Sequence, residues 1–101
     1  MMSKKKIETP NVGEILKEEF LDPLNITPYR LSKEINVSTS TVLDIIHNRR
    51  KLSVEMALRL SRYFGNSQKF WLNLQNELEI REIEDKKGNE LNKIKAIRQI
   101  A

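Results

Sequence analysis

The chain has 101 residues, a length that suits one compact domain, and a formal net charge of +4, which fits a nucleic-acid partner but is also common among ordinary proteins. The absence of cysteine and the presence of a single histidine, His47, exclude a disulfide framework, a cysteine zinc site and a His-rich metal site. No apolar run reaches the ~18–20 residues of a membrane span, and no apolar signal segment follows the basic N-terminus, so we expect a cytoplasmic protein without a cofactor.

The N-terminal segment is predicted to be a flexible basic arm over residues 1–9, because three consecutive lysines there have no periodic apolar partner. It is either a solvated tail or an arm that touches phosphate or a partner protein. A first helix should begin near Asn11 or Val12 and end at Leu21-Asp22-Pro23, because the residue before proline avoids the helical region. Its core-facing stripe consists of Val12, Ile15, Leu16 and Phe20.

The stretch from Pro28 to Arg50 predicts two short helices joined by a tight turn. Thr27 suits the N-cap of the second helix and Pro28 its first position. Asn36 is suited to the left-handed conformation of the turn, and Ser38 then suits the N-cap of the third helix. The apolar side chains facing inward would be Leu31 and Ile35 in the second helix and Val42, Ile45 and Ile46 in the third.

Two further helices follow. Ser53 should cap a fourth helix, VEMALRLSRYF, which Gly65 ends, and Ser67 should cap a fifth that runs to about Asp85. The segment Lys86-Lys87-Gly88-Asn89 is predicted to break it. The last segment, ELNKIKAIRQI, has apolar residues at helical spacing, and it is either a short helix or a frayed tail.

No stretch alternates with period two for long enough to predict a strand, so the fold class is all-α, with five helices and possibly a sixth. The domain organisation we predict is an arm at residues 1–9, a helix-turn-helix domain with a dimerisation helix at 10–85, and a tail at 86–101.

Residues Asn11 to Gln75 resemble the HigA-type antitoxins, also called virulence-associated protein I, of the lambda-repressor-like (Xre) helix-turn-helix class. The resemblance is carried by VGEILKEEFLDPLNIT and YRLSKEINV and, most specifically, by IHNRRKLSVEMALRLSRYFG followed by SQKFWLNLQ. Two positions depart from the broad motif, since Ser32 replaces the usual alanine and Asn36 the usual glycine. Both substitutes are compatible with the geometry of the turn.

The resemblance implies that the third helix enters the major groove of double-stranded operator DNA. The Ser38 and Thr41 hydroxyls would then hold phosphate, and Thr39 and Ser40 would reach base edges. Asp44 could accept a hydrogen bond from a cytosine amine, but phosphates would also repel its carboxylate. The candidate DNA-binding residues are Ser38, Thr39, Ser40, Thr41, Asp44, His47, Arg49, Arg50 and Lys51. The alternatives are an ordinary capping sequence at Ser38–Thr41 and a solvated loop at Arg49–Lys51.

The fifth helix is predicted to form a homodimer, because in so small a chain it cannot easily bury two adjacent large aromatic residues by itself. The candidate dimerisation residues are Phe70, Trp71, Leu74 and Leu78. For Trp71, packing in a core or a dimer is favoured over a ligand pocket. A two-fold dimer would place two recognition helices about one DNA turn apart, ~34–36 Å, on a palindromic operator.

The resemblance further implies an antitoxin that represses its own operon and neutralises a HigB-type, RelE-like ribonuclease toxin. The toxin-binding surface is left open between the N-terminal arm with the first helix and the acidic segment Glu79–Glu90. The alternatives are a stand-alone transcriptional regulator and an interaction module that has lost DNA binding. An enzyme is rejected, because the sequence has no nucleophile–base arrangement, no convincing carboxylate pair and no glycine-rich phosphate loop. We expect no small-molecule substrate.

Overall fold

A computed structural model of the chain describes residues 9–97, and every regular element in that range is a helix. Helix α1 is continuous but has three parts: an α-helical turn at Val12–Ile15, a π-helical segment at Leu16–Leu21 and a final turn at Asp22–Leu24. The other four helices are α2 (Pro28–Ile35), α3 (Thr39–Ile46), α4 (Val54–Phe64) and α5 (Gln68–Leu91). The all-α prediction with five helices is confirmed. Within this range, no helix combines the length and apolar character that a membrane crossing requires.

A side-chain oxygen caps the N-terminus of every one of these helices. The caps are Asn11, Thr27, Ser38, Ser53 and Ser67, and each accepts the N–H of the residue three positions later at 3.0–3.1 Å. Such a bond satisfies one of the four donors that a helix start leaves without a partner. The predicted caps are therefore confirmed, and the local sequence sets where each helix begins.

Left-handed backbone conformations end α2 and α4 and follow α3. Asn36, Asn48 and Gly65 have φ values of 61°, 60° and 80°, and those of Asn36 and Gly65 agree with the sequence prediction. Asn25, with φ of 57°, was not predicted to adopt this conformation, because α1 was expected to stop before Pro23.

The predicted end of α1 is wrong, since the helix continues through Pro23 to Leu24. A proline inside a regular α-helix lacks one hydrogen bond, and its ring collides with the carbonyl four residues earlier. Here the wider π-helical segment lies directly before Pro23, and the N–H of Asp22 donates to the carbonyl of Lys17, five residues earlier. This local widening lets the chain accommodate the proline without ending the helix.

The core contains residues from all five helices, and its largest member is Trp71. The Trp71 ring packs against those of Phe20, Phe64 and Phe70, with centroids 4.7, 6.0 and 5.1 Å away. Its indole N–H donates to Asn66 Oδ1 at 3.0 Å, so the polar group is satisfied although the side chain is fully buried.

This packing corrects the predicted dimerisation residues. Trp71 and Leu78 lie in the core of the chain itself, and Leu74 is half-buried against it. A single chain can bury Trp71 because α1 contributes Phe20 and α4 contributes Phe64 to the same cluster. Of the four candidates, only Phe70, which is 41% exposed, presents a substantial surface to a second chain.

The C-terminal part of α5 differs from its prediction as well. The helix is kinked at Lys87 (φ −127°, ψ 17°), inside the predicted break, but it resumes and ends at Leu91, beyond the predicted end near Asp85. Residues 92–97 form no sixth helix. Residues 98–101 and almost all of the predicted N-terminal arm, residues 1–8, lie outside the described range.

Helices α1 and α3 meet at Gly13 with no side chain between them. A Cβ atom placed on Gly13 would lie 1.9 Å from the carbonyl oxygen of Ile45 and 2.9 Å from the Cα of Ile46. Both are backbone atoms near the end of α3, so they cannot rotate away as a flexible side chain would. Glycine at this position therefore sets how closely α1 approaches α3.

We expect Gly13→Ala to lower the free energy of unfolding by about 1–3 kcal/mol or more, because α3 has to move to admit the methyl group. Gly88→Ala is the matched control: it also lies in a helix, but a Cβ there meets no atom within 4 Å, so it should be neutral or stabilising by about 0.5–1 kcal/mol. Urea unfolding followed by Trp71 fluorescence measures both. Equal stabilities for the two variants would contradict the close contact.

A hydrogen bond between helices joins α2 to α4. The Tyr63 hydroxyl donates to the Glu34 carboxylate, which also accepts from Arg30 Nε at 3.3 Å. The hydrogen bond from Tyr63, with a smaller contribution from Arg30, lowers the pKa of Glu34. The same hydrogen bond, together with burial, raises the pKa of Tyr63.

Tyr63→Phe should therefore destabilise the protein by an amount that depends on pH. The lowered pKa of Glu34 means that its stabilisation is complete above the ordinary glutamate value of about 4.3 and is lost as pH falls through the folded pKa. The raised pKa of Tyr63 means that its stabilisation is complete below about 10 and is lost as pH rises through the folded pKa. The difference in unfolding free energy between wild type and variant should thus be flat near neutral pH and shrink at both extremes. Tyr29→Phe, at an exposed tyrosine, should show no such profile, and a pH-independent difference for Tyr63→Phe would contradict the assignment.

Candidate nucleic-acid interface

Helix α3 has a buried side and an accessible side, as the sequence predicts. Val42, Ile45 and Ile46 are buried in the core. On the other side, Ser40 and His47 are exposed, and Leu43 and Asp44 are half-buried. The buried side fixes the helix to the domain, so its accessible side has a defined orientation.

A cluster of hydroxyl groups surrounds the start of α3. Ser38 Oγ lies 2.8 Å from Thr41 Oγ1 and 3.2 Å from Ser40 Oγ, and it accepts the N–H of Thr41 at 3.1 Å. As in any helix, the N–H groups of the first turn have no acceptor within the helix, and the helix dipole gives this end a partial positive charge. The cluster therefore offers both backbone and hydroxyl donors to an anion.

Thr39 is placed differently from its neighbours. Its Oγ1 lies 2.9 Å from Ser32 Oγ, which donates its single proton to the carbonyl of Tyr29 at 2.7 Å. Thr39 must then donate to Ser32, so its hydroxyl faces α2 and only its methyl group and remaining lone pairs are available outside. The sequence predicts that the Thr39 side chain points outward to reach base edges, whereas in the structure this side chain is half-buried. Ser32, one of the two departures from the broad motif, supplies this link between α2 and α3.

The basic segment directly after α3 is exposed, but two of its three cations already have partners. Arg49 Nε lies 3.1 Å from Asp44 Oδ1, and the Arg49 N–H donates to the Asp44 carbonyl at 2.7 Å. Lys51 pairs with Glu79 of α5. Arg50 makes no ion pair within residues 9–97. Ion pairs this exposed contribute little stability, so a phosphate can displace the carboxylates.

Several residues near this surface were not singled out from the sequence. Tyr29 and Lys33 are exposed, the Lys33 ammonium lies 5.3 Å from the Tyr29 ring centroid, and the Ser32–Thr39 hydrogen bond brings them beside the start of α3. Arg59 of α4 donates to the carbonyl of Ile35 at 2.7 Å, at the end of α2. The sequence carries no local signal for this contact of Arg59, because its partner Ile35 lies 24 positions away.

No group of three or more histidine, cysteine, aspartate or glutamate side chains suitable for a metal ion occurs in the part of the chain that the structure describes. His47, one of the candidate DNA-binding residues, is exposed at the C-terminal end of α3. The predicted residues from Ser38 to Lys51 thus form one continuous segment, made of a helix start with hydroxyl groups, an accessible helix side and a basic loop. Such an arrangement can contact phosphates at both ends of a helix and base edges between them.

Comparison with known proteins gives one family and several relatives. The family described as Helix-turn-helix matches residues 16–68. Virulence-associated protein I of Dichelobacter nodosus is 38% identical over 84 residues, which cover 81% of this chain and 78% of that protein. Antitoxin HigA-1 of Vibrio cholerae is 38% identical over 79 residues, covering 78% and 74%. The uncharacterised HTH-type transcriptional regulator YbaQ of Escherichia coli K12 is 40% identical over 81 residues, covering 80% and 70%.

Solved structures give the same picture. The Pseudomonas aeruginosa antitoxin HigA, solved with the higBA promoter, superposes with a TM-score of 0.80 at 37% identity, covering 90% of this chain and 100% of that one. Antitoxin GraA in complex with its operator gives a TM-score of 0.81 at 34% identity, covering 99% and 100%. Both of these proteins were solved with DNA.

Proposed function

The chain belongs to the Xre-type helix-turn-helix family, among relatives named HigA antitoxin and virulence-associated protein I, and we propose that it is a sequence-specific DNA-binding antitoxin. In this proposal it represses its own operon as a homodimer and neutralises a RelE-like ribonuclease toxin. The observation that carries the DNA-binding part is the continuous surface formed by the hydroxyl cluster, the accessible side of α3 and the basic loop. Relatives solved with promoter or operator DNA support it.

In the proposed complex, the start of α3 approaches the DNA backbone and its accessible side lies in the major groove. Ser38 and Thr41 donate to phosphate together with the backbone N–H groups, and Ser40 reaches a base edge. Thr39 offers its methyl group, which suits the methyl of thymine. The remaining proposed contacts are Asp44 and His47 on the helix and Arg49, Arg50 and Lys51 in the loop.

Asp44 is the proposed contact most affected by its surroundings. A free carboxylate would be repelled by phosphate, but its ion pair with Arg49 offsets this charge. While the pair persists, Asp44 can still accept a hydrogen bond from a cytosine amine. If Arg49 turns to a phosphate instead, Asp44 loses its partner, so the two proposed roles compete with each other.

Dimerisation is proposed through α5. Phe70 is exposed at its start, and Ile80 and Ile83 are exposed one turn apart farther along the helix. Exposed apolar side chains on a single helix suit a surface that another chain covers. A two-fold axis near this helix would present two copies of α3 to a palindromic site.

We expect the protein to bind DNA from just upstream of its own gene more tightly than scrambled DNA, with two chains per site. With ~6–10 phosphate contacts, affinity should fall ~10³–10⁵-fold between ~50 and ~200 mM salt. Arg49→Ala/Arg50→Ala removes four arginines from a site that binds two chains, so it should weaken binding and make the slope of log K against log salt about 4 units less steep. Fluorescence anisotropy across a salt series measures all of these.

The matched control is Lys17→Ala/Arg62→Ala, which removes the same charge from exposed positions on α1 and α4, outside both the proposed DNA surface and the proposed dimerisation helix. It should change the salt slope much less. Equal and weak binding to both DNAs, or an equal loss for both double variants, would contradict sequence-specific binding through the basic loop.

For the toxin, we expect a short basic reading frame adjoining this gene whose product stops growth when expressed alone. Co-expression with this chain should restore growth, because this chain binds the ribonuclease and blocks its activity. For the same reason, the two proteins should co-purify. The candidate toxin-binding surfaces remain helix α1 with the N-terminal arm, and the acidic segment Glu79–Glu90.

A stand-alone transcriptional regulator is the second candidate function, and it is favoured by relatives such as YbaQ that are named only as regulators. Under this alternative, specific binding to upstream DNA is retained, but no adjoining gene product binds the protein. The co-expression experiment therefore separates the two functions.

A further inference from the structure

The basic loop is attached to α5 by a reciprocal pair of hydrogen bonds at Leu52. The Leu52 N–H donates to Gln75 Oε1 at 2.7 Å, and Gln75 Nε2 donates to the Leu52 carbonyl at 3.1 Å. A carboxamide is suited to this task because it carries a donor and an acceptor side by side. Both backbone groups of Leu52 are thereby satisfied by one side chain 23 positions away.

The other end of the loop is attached to α3. The Arg49 N–H donates to the Asp44 carbonyl at 2.7 Å, and the Asn48 N–H donates to the Ile45 carbonyl at 3.1 Å. Arg50 and Lys51 therefore lie between two fixed points, one on the recognition helix and one on α5. The Lys51–Glu79 ion pair connects the loop to α5 a second time.

We infer that Gln75 is a positioning residue for DNA binding: by holding the Leu52 backbone it fixes where Arg49 and Arg50 are presented. The inference rests on the proposed function, since it assumes that these arginines meet phosphates. A loop held at one end only would sample many conformations and lose more entropy on binding. The attachment removes part of that cost before DNA arrives.

The same contact places α5 in a double role. This helix is the proposed dimerisation element, and through Gln75 it also sets the position of the basic loop. The position of the proposed dimer partner and the position of the basic loop are therefore both set by α5, with no flexible segment between them.

Gln75→Glu tests the inference, because it keeps the acceptor for the Leu52 N–H but opposes the Leu52 carbonyl with a second acceptor. We expect about a tenfold loss of affinity for the upstream DNA and a salt slope less steep by about 2 units, since one phosphate contact in each of the two chains is less well presented. Asn76→Asp is the matched control: it adds the same charge at the next position, which is exposed, and should leave the slope unchanged.

A double-mutant cycle separates positioning from a general loss of stability. Arg49→Ala/Arg50→Ala is measured in the wild-type and in the Gln75→Glu chain, with Trp71 fluorescence reporting that each is folded. Positioning predicts that removing the arginines costs several-fold less affinity in the Gln75→Glu chain. Equal losses in both chains would overturn the inference. No loss in the wild-type chain would overturn the proposed loop contact itself, and the inference with it.

If Gln75→Glu does not fold, Gln75→Met replaces it in the same cycle. Methionine fills a similar volume without adding a charge, and it removes both hydrogen bonds to Leu52. The expected reduction in the arginine effect is the same. Equal arginine losses in the wild-type and Gln75→Met chains would again overturn the inference.

Discussion

The backbone contact between Gly13 and Ile45 is the constraint on which the position of α3 depends. Because no side chain separates α1 from the end of α3, their distance is set by backbone atoms, which neither rotate nor compress. The buried side of α3 then fixes its rotation about its own axis. Ser40, Leu43, Asp44 and His47 face outward because the other side of the helix is packed in the core.

Hydrogen bonds from three other helices complete the surface around α3. Ser32 of α2 engages Thr39 at the start of α3, Arg59 of α4 holds the end of α2, and Gln75 of α5 holds the loop after α3. Each of these bonds involves a residue with no predicted role in contacting DNA. The geometry of the candidate interface is thus maintained by residues behind it, so variants there should be expected to affect DNA binding indirectly.

Features encoded within a few residues could be predicted from the sequence, and features that depend on distant contacts could not. Ser38 and Asn36 act through neighbouring backbone groups, so their residue types alone indicate a cap and a turn. The burial of Trp71 depends on Phe20, which lies 51 positions earlier in the chain, as well as on the nearer Phe64. Pro23 was misjudged for another reason: a π-helical segment accommodates it, and no simple residue pattern announces that segment.

The ion pairs of the basic loop reduce the electrostatic free energy that the loop can contribute to the proposed DNA binding. Before any DNA binds, Asp44 and Glu79 partly neutralise Arg49 and Lys51. Binding then exchanges a carboxylate partner for a phosphate partner, so the net electrostatic gain is smaller than a count of cations suggests. Arg50 has no carboxylate partner within residues 9–97, so its full charge is available to a phosphate. In the proposed complex the three adjacent cations would therefore contribute differently to DNA affinity, although their sequence alone makes them look equivalent.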